Sequence, residues 1–285
     1  MKKLTDRTAV VTGAGSGIGR ATSVLLAQRG CRLALADIQE EGLAETARLV
    51  RELGRPVTTH KVDVSDKARM QEFATEVVDA HGGVHILINN AGVAVVANFK
   101  DHSLEDFEWL MGINFWGVVY GCKFFLPHLS LAEEGHIVNI SSLFGLMGIP
   151  QQTSYCSSKF AVRGFSESLR IELASSNVGV TSVHPGGIAT RIVADARLSG
   201  DAQDPKAHAR MVKSFKKMMP PSEAALCILR GIERNKPRVL ITRESYIADV
   251  MKRLSPALST DLFAWGYERM QHMAQAKALA KAQAR

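Results

Sequence analysis

The chain has 285 residues, 46% of them hydrophobic and 22% charged, a globular mix that excludes an intrinsically disordered chain and leaves room for one large domain. The formal charge of +7 is local: residues 1–200 hold 19 basic and 20 acidic side chains, residues 201–285 hold 16 and 8. The last third carries no Cys/His finger and no basic run interleaved with stacking aromatics, so a nucleic-acid partner is not expected. No apolar run approaches the ~18–20 residues of a membrane span, and the basic start lacks the apolar core of a secretory signal. Cys31, Cys122, Cys156 and Cys227 form no Cys-x-x-Cys pair. That argues against structural zinc and a disulfide framework and points to reduced thiols in a cytoplasmic protein.

In chain order, residues 8–12 (Thr-Ala-Val-Val-Thr) read as a strand buried on both faces, followed by a glycine cluster and a helix over about 17–29. Residues 32–36 form a second strand. The next helix carries Leu43, Ala47 and Val50 on one face and ends near Gly54. Residues 57–62 are a third strand, 66–80 a helix and 85–89 a fourth strand. A longer helical region spans about 103–131, bent near 114–117. Residues 135–140 are a fifth strand, 155–175 a long helix, 178–183 a sixth strand and 238–241 a seventh. Strands separated by helices at this rhythm mean βαβ crossovers, hence a doubly wound seven-stranded parallel sheet of Rossmann type flanked by helices. The reading is one domain over 1–254, with 192–221 as a polar, basic insert or lid, and a C-terminal helical extension over 255–285 whose alanine-rich end follows Arg269.

The first strand runs into Thr12-Gly13-Ala14-Gly15-Ser16-Gly17-Ile18-Gly19. Glycines there let the backbone turn tightly and approach a diphosphate, and the helix behind them offers free N–H groups and a positive dipole end. Asp37 lies just past the second strand, where a carboxylate accepts hydrogen bonds from both adenosine ribose hydroxyls and repels a 2′-phosphate. Positions 36, 38 and 39 hold no Arg or Lys, so NAD is expected in preference to NADP.

Polar features recur where such a sheet exposes its carboxyl edge: Asn89-Asn90-Ala91-Gly92, Asn114, Ser141-Ser142, and Tyr155-Cys156-Ser157-Ser158-Lys159. Tyr155 and Lys159 are four apart and share a helix face. With the glycine loop, Asp63-Val64 and Pro185-Gly186-Gly187-Ile188-Ala189-Thr190, these motifs in register over about 5–190 resemble the short-chain dehydrogenase/reductase family. The resemblance implies a catalytic tetrad carried by Asn114, Ser142, Tyr155 and Lys159. Ser142 is preferred over Ser141 because the family's serine lies thirteen residues before the tyrosine.

Interconverting an alcohol and a carbonyl moves a hydride and a proton, and the proton shuttle needs a pKa near the operating pH. A free tyrosine titrates at about 10; reaching about 7 takes roughly 4 kcal/mol, which a close ammonium and an oxidised nicotinamide are expected to supply. The resemblance gives Tyr155 the role of general acid or base. Lys159 lowers its pKa and binds ribose, Ser142 bonds the substrate oxygen, and Asn114 holds a helix kink and a water. It further implies that Asp63 and Val64 flank the adenine, Asn90 supports the cofactor loop, Ile188 and Thr190 reach the carboxamide, and Pro185 and Gly186 shape that turn. No metal site is expected.

Val93, Ala94, Leu143, Phe144, Met147, Ile149, Pro150, Gln151, Ile192 and Val193 are the pocket candidates. They are mostly apolar and without a cation, which suits a lipophilic secondary alcohol or ketone. A helix over 206–219, with Met211, Phe215, Met218 and Met219 opposite Lys213, Lys216 and Lys217, suits a lid better than a lipid-binding face. The family resemblance implies homodimers or homotetramers paired through helices 103–131 and 155–175. The competing readings are a non-catalytic NAD-binding sensor and a membrane-surface protein acting through the basic last third.

Overall fold

The computed structural model describes residue 1 and residues 3–283. β1 (Thr8–Thr12) leads through a glycine turn into α1 (Gly17–Gln28). β2 (Arg32–Asp37), α2 (Glu40–Glu52), β3 (Val57–Lys61), α3 (Lys67–His81) and β4 (Ile86–Asn89) follow. After the two-residue β5 (Val95–Val96) come α4 (Leu104–Met111), a π-helical segment over Gly112–Trp116, and α5 (Gly117–Leu131). β6 (Gly135–Ile140), α6 (Thr153–Glu172) and β7 (Val178–Pro185) complete the framework of the site.

The seven-stranded sheet has the order β3-β2-β1-β4-β6-β7, closed by β9 (Arg238–Ile241), and every pairing is parallel. The chain steps outward from β1 to β3 and then returns to place β4 on the other side of β1. That reversal opens a crevice beyond the carboxyl ends of β1 and β4, where wound sheets bind ligands.

Strand alternation builds two cores. Val11, Leu33, Leu35, Ile86 and Ile88 face one side and pack with Leu26, Leu43, Ile228 and Leu229. Val10, Ala34, Leu87 and Ile137 face the other and pack with Phe73, Phe125 and Val162. Asp66 caps α3 by accepting from the Ala68 and Arg69 N–H groups, which starts that helix one residue after the expected boundary.

The expectation for 192–221 needs correction. That stretch contains β8 (Arg197–Leu198), paired with β5, a 3₁₀ turn at Gly200–Gln203 and α7 (Pro205–Phe215). Pro221 already opens α8 (Pro221–Glu233), whose Ala224, Ala225, Ile228 and Ile232 are buried. The expected 206–219 helix therefore ends at Phe215, and Met218 and Met219 leave it. Ile188 bridges Met219 instead, and Ala189 donates to the Met219 carbonyl at 2.9 Å. The long helix expected over 155–175 runs from Thr153 to Glu172. Beyond the sheet, α9 (Arg243–Leu254) and α10 (Pro256–Gln283) form the C-terminal arm, so helix begins well before Arg269.

A second correction concerns hydropathy. Taken across the π segment, Leu104–Leu131 is 28 residues long with a mean hydropathy of 1.2, enough by length and composition to cross a membrane. Its Leu110, Val118, Cys122, Phe125 and Leu129 are buried in the cores of this fold.

Candidate active site

The glycine turn is shaped from several sides. Gly13 has φ +64°, and a Cβ there would come within 2.8 Å of both the Ala91 Cα and the Asn90 Nδ2. A Cβ on Gly19 would overlap the Gly13 carbonyl. Asn90 Nδ2 donates to the Thr12 and Gly13 carbonyls at 2.9 and 3.0 Å, and the Thr12 hydroxyl oxygen accepts from the Asn90 and Ala91 N–H groups at 3.0 and 3.2 Å. Asn90 thus ties the 89–92 segment to the glycine loop.

Ser16 precedes α1 without a side-chain cap, and the first turn holds no acidic residue. The leading N–H groups of α1 therefore lack side-chain partners, the arrangement that suits a diphosphate. Asp37 is half-buried above this turn, with Oδ2 accepting from Gly15 N at 2.8 Å and Oδ1 from Gln39 N at 2.9 Å. Each carboxylate oxygen retains a lone pair for a ribose hydroxyl. These residues fit a dinucleotide.

Asp63 is exposed at the sheet rim, its Oδ1 held by Ser65 N and Oγ at 2.9 and 2.6 Å. Val64 packs onto Gly117, where a Cβ would meet Val64 Cγ2 at 2.7 Å and the Val64 carbonyl oxygen at 3.2 Å. Across the crevice, Thr190 Cγ2 stands 3.0 Å from where a Gly17 Cβ would be. Ile188 and Pro185 are buried, and Gly186 N donates to Ile241 O at 3.0 Å. Ser16 is exposed and Ile18 half-buried at the start of α1.

The four expected tetrad residues converge at the carboxyl edge. Asn114 lies in the π segment and is fully buried; its Oδ1 accepts from Val93 N at 2.8 Å, and its Nδ2 donates to Val93 O and Ser158 Oγ at 3.0 and 3.3 Å. The extra residue per turn of the π segment is what aims this amide at the 91–93 loop after β4. A Cβ on Gly92 would sit 3.2 Å from Asn114 Oδ1 and 3.5 Å from Lys159 Nζ, so the amide and the amine flank one backbone point. Lys159 Nζ donates to Ile140 O at 3.0 Å and lies 5.6 Å from the Tyr155 ring centre. Ser142 Oγ accepts from Phe144 N at 3.1 Å, and the Ser142 hydroxyl favours the ionised form of the Tyr155 phenol.

Burial dominates the electrostatics of the cluster in the protein alone. Burial pushes the Tyr155 phenol up to about 12, with the Ser142 hydrogen bond pulling the other way. Burial also pulls the Lys159 amine down to about 8. The ammonium does not govern the phenol here, because it is itself desolvated and tied to the Ile140 carbonyl. In the protein alone the tyrosine holds its proton at neutral pH.

Around this cluster, Phe144 meets Tyr155 edge-on with ring centres 6.2 Å apart. Val93, Leu143, Ile149, Gln151 and Ile192 are half-buried, Pro150 is exposed, and Ala94, Met147 and Val193 are buried. Sequence reasoning missed Arg197, whose guanidinium stacks 3.5 Å over Trp109 and pairs with Asp106 at 2.6 Å. It also missed Arg20, which grips the glycine loop through the Gly15 carbonyl, Gly42 O (3.1 Å) and Thr46 Oγ1 (3.0 Å). The Thr12 hydroxyl was hidden inside a strand motif, and only its place at the strand end marks it.

A wound parallel sheet with a dinucleotide cradle and a Ser–Tyr–Lys–Asn cluster at the same edge defines an oxidoreductase of the Rossmann class. A family model described as short chain dehydrogenase matches residues 7–201. The putative oxidoreductase SadH of Mycobacterium tuberculosis is 41% identical over 256 residues, spanning 89% of this chain and 92% of that one. A short chain dehydrogenase/reductase from Burkholderia phymatum, solved in complex with NAD, shares the fold at a TM-score of 0.84 and 30% identity, over 91% of this chain and 97% of that one. A short chain dehydrogenase from Mycobacterium paratuberculosis bound to NAD does so at 0.75 and 26%, over 85% and 98%. The chain belongs to the short-chain dehydrogenase/reductase family.

Proposed function

We propose that this enzyme interconverts a lipophilic secondary alcohol and its ketone, using NAD(H) in preference to NADP(H), in the cytoplasm. The observation that carries the reading is the convergence of Tyr155, Ser142 and Lys159, with the Lys159 amine 5.6 Å from the Tyr155 ring centre, beside a cradle that fits a dinucleotide. The bound cofactor supplies or accepts the hydride. Tyr155, protonated at neutral pH, donates its proton to the carbonyl oxygen in reduction and takes it back in oxidation. The Ser142 hydroxyl donates to the same oxygen. Lys159 holds positive charge beside the phenol, and Asn114 fixes the 91–93 loop against α6 through Val93 and Ser158.

Support for NAD comes from Asp37 over the glycine turn and from Arg20, a nearby cation already engaged by Gly15, Gly42 and Thr46. Support for a lipophilic substrate comes from the apolar rim of Val93, Leu143, Phe144 and Ile192. The test is a screen of apolar alcohols and ketones by NADH absorbance, repeated with NADP. At least a tenfold higher kcat/KM with NAD is expected, and a tenfold preference for NADP overturns the cofactor assignment. A homodimer or homotetramer through α5 and α6 is part of the reading. Its support is an aromatic row, Trp116 stacked on Tyr120 and Tyr120 beside Phe124, together with Phe160, with Trp116 and Phe160 48% and 41% exposed. Light scattering tests it.

A further inference from the structure

His184 is the penultimate residue of β7 and is fully buried. Its Nδ1 lies 3.0 Å from the carbonyl oxygen of Ser142, and its Nε2 lies 3.0 Å from Ser182 Oγ. A carbonyl only accepts, so Nδ1 carries the proton. The neutral ring then presents Nε2 as an acceptor, and the Ser182 hydroxyl donates to it. The ring stays neutral, because burial pulls its pKa down to about 4.

The position matters for where the sheet ends. The β6–β7 ladder stops at Ile140↔Val183, and the following Ser141 N still donates to Val183 O at 2.8 Å. One step further the main chain offers Ser142 nothing from β7, and the imidazole takes over. The Ser142 carbonyl also accepts from Gly145 N at 2.9 Å, so both of its lone pairs are filled. Two bonds at fixed angles orient the peptide that follows Ser142. Phe144 N already occupies Oγ as a donor, so the single hydroxyl hydrogen of Ser142 is left for the cleft.

We propose that His184 is a positioning residue: through the Ser142 carbonyl it holds the Ser142 hydroxyl in line with Tyr155 and the substrate oxygen. The inference rests on the proposed reaction for its kinetic consequence, but not for the tautomer it requires.

Two measurements on the intact enzyme test it. Ring ¹⁵N NMR of His184 reads the tautomer directly: a protonated Nδ1 and bare Nε2 are expected from neutral pH down to pH 5, and the opposite tautomer overturns the proposal without any substrate. The kinetic test compares His184→Asn, which keeps a donor near the Nδ1 position, with the equal-sized His184→Leu, which removes it. His184→Leu should lose ten- to a hundredfold in kcat with NADH affinity unchanged, and His184→Asn should restore most of it. In a Ser142→Ala background, His184→Leu should cost no more than a further twofold, since its effect passes through a hydroxyl already gone. An equal loss in both backgrounds, or a matching loss of NADH affinity, overturns the positioning role. If His184→Leu does not fold, the smaller His184→Ala, which also removes the donor, and its own Ser142→Ala cycle decide by the same criterion. Absence of any turnover by the unmodified enzyme would instead count against the proposed reaction, and the NMR result would stand apart from it.

Discussion

The Tyr267 phenol on α10 donates a 3.0 Å hydrogen bond to Asn98 Oδ1 at the end of β5, and the Asn98 Nδ2 in turn donates to Asp201 Oδ2 at 3.3 Å. One amide therefore ties the C-terminal arm, the rim below the candidate pocket and the start of the 200–215 segment. Leu258, Leu262 and Trp265 nearby on α10 remain 65%, 55% and 59% exposed, so this polar node, rather than apolar burial, anchors Tyr267. Tyr267→Phe deletes a bond worth about 1 kcal/mol and leaves most of the fold untouched. The expected outcome is a Tm within about 2 °C of the parent, a several-fold rise in substrate KM, and no change in NADH affinity. Unchanged KM in steady-state kinetics would detach the arm from the pocket.

Tyr155→Phe removes the proton shuttle while keeping the ring that meets Phe144 and packs against the cluster of Val95, Ala97 and Leu110. At least a hundredfold loss in kcat is expected, with NADH still bound by fluorescence titration. Substantial turnover by this variant would remove the tyrosine from the proton path.

The sheet was legible because its strands are short β-branched runs set between glycines and amphipathic helices; the Val10/Val11 and Leu33/Ala34 alternation is written in the residues. The tetrad was legible as spacing, with Tyr155 and Lys159 one turn apart. Three features were not. The β5–β8 ribbon is two residues long per strand, too short for any period to register. At α8, Pro220-Pro221 reads as the end of a loop, whereas Pro221 is the first helical residue, where its missing N–H costs nothing. The direction of the Tyr155 shift follows from burial of the phenol itself, and a sequence spacing does not carry that.

Asn114→Ala opens the π segment's link to the 91–93 loop. It removes three hydrogen bonds and leaves the Val93 N–H and C=O without this side chain. Orphaned buried backbone groups cost about 1–3 kcal/mol each, so a destabilisation of about 2–4 kcal/mol in urea melts is expected together with the loss of activity. Asn114→Asp keeps the acceptor for Val93 N and should recover part of the stability. A destabilisation as large as that of the alanine variant would deny that bond its weight.

Asp37→Ser with Ile38→Arg exchanges a carboxylate over the glycine turn for a cation at a position that is 54% exposed. The 2′-phosphate then meets attraction instead of repulsion. The NAD/NADP ratio of kcat/KM should shift at least tenfold toward NADP, and an unmoved ratio would place the ribose away from Asp37.

His184 and His136 give the stability a defined acid limb. Both are buried neutral: desolvation pulls His184 down to about 4 and His136 to about 3. Arg163 and Arg238 near His184, and the chain's amino terminus and Arg170 near His136, reinforce the shift, while the hydrogen bond to the Ser142 carbonyl and, less strongly, Glu167 oppose it at His184. An unfolded histidine titrates near 6.5, so the unfolded chain gains these protons first and the folded state resists them. The contribution is complete above about pH 7 and is lost as pH falls below about 6.5. Down to pH 5 the loss does not depend on the folded values, since both lie below that. Each site then costs about 1.4 kcal/mol per pH unit, or about 4 kcal/mol for the pair between pH 6.5 and 5. Urea unfolding at pH 7, 6 and 5 measures the slope. His136→Asn should remove about half of it, and a profile flat from pH 7 to 5 would mean that neither ring is held neutral in the folded protein.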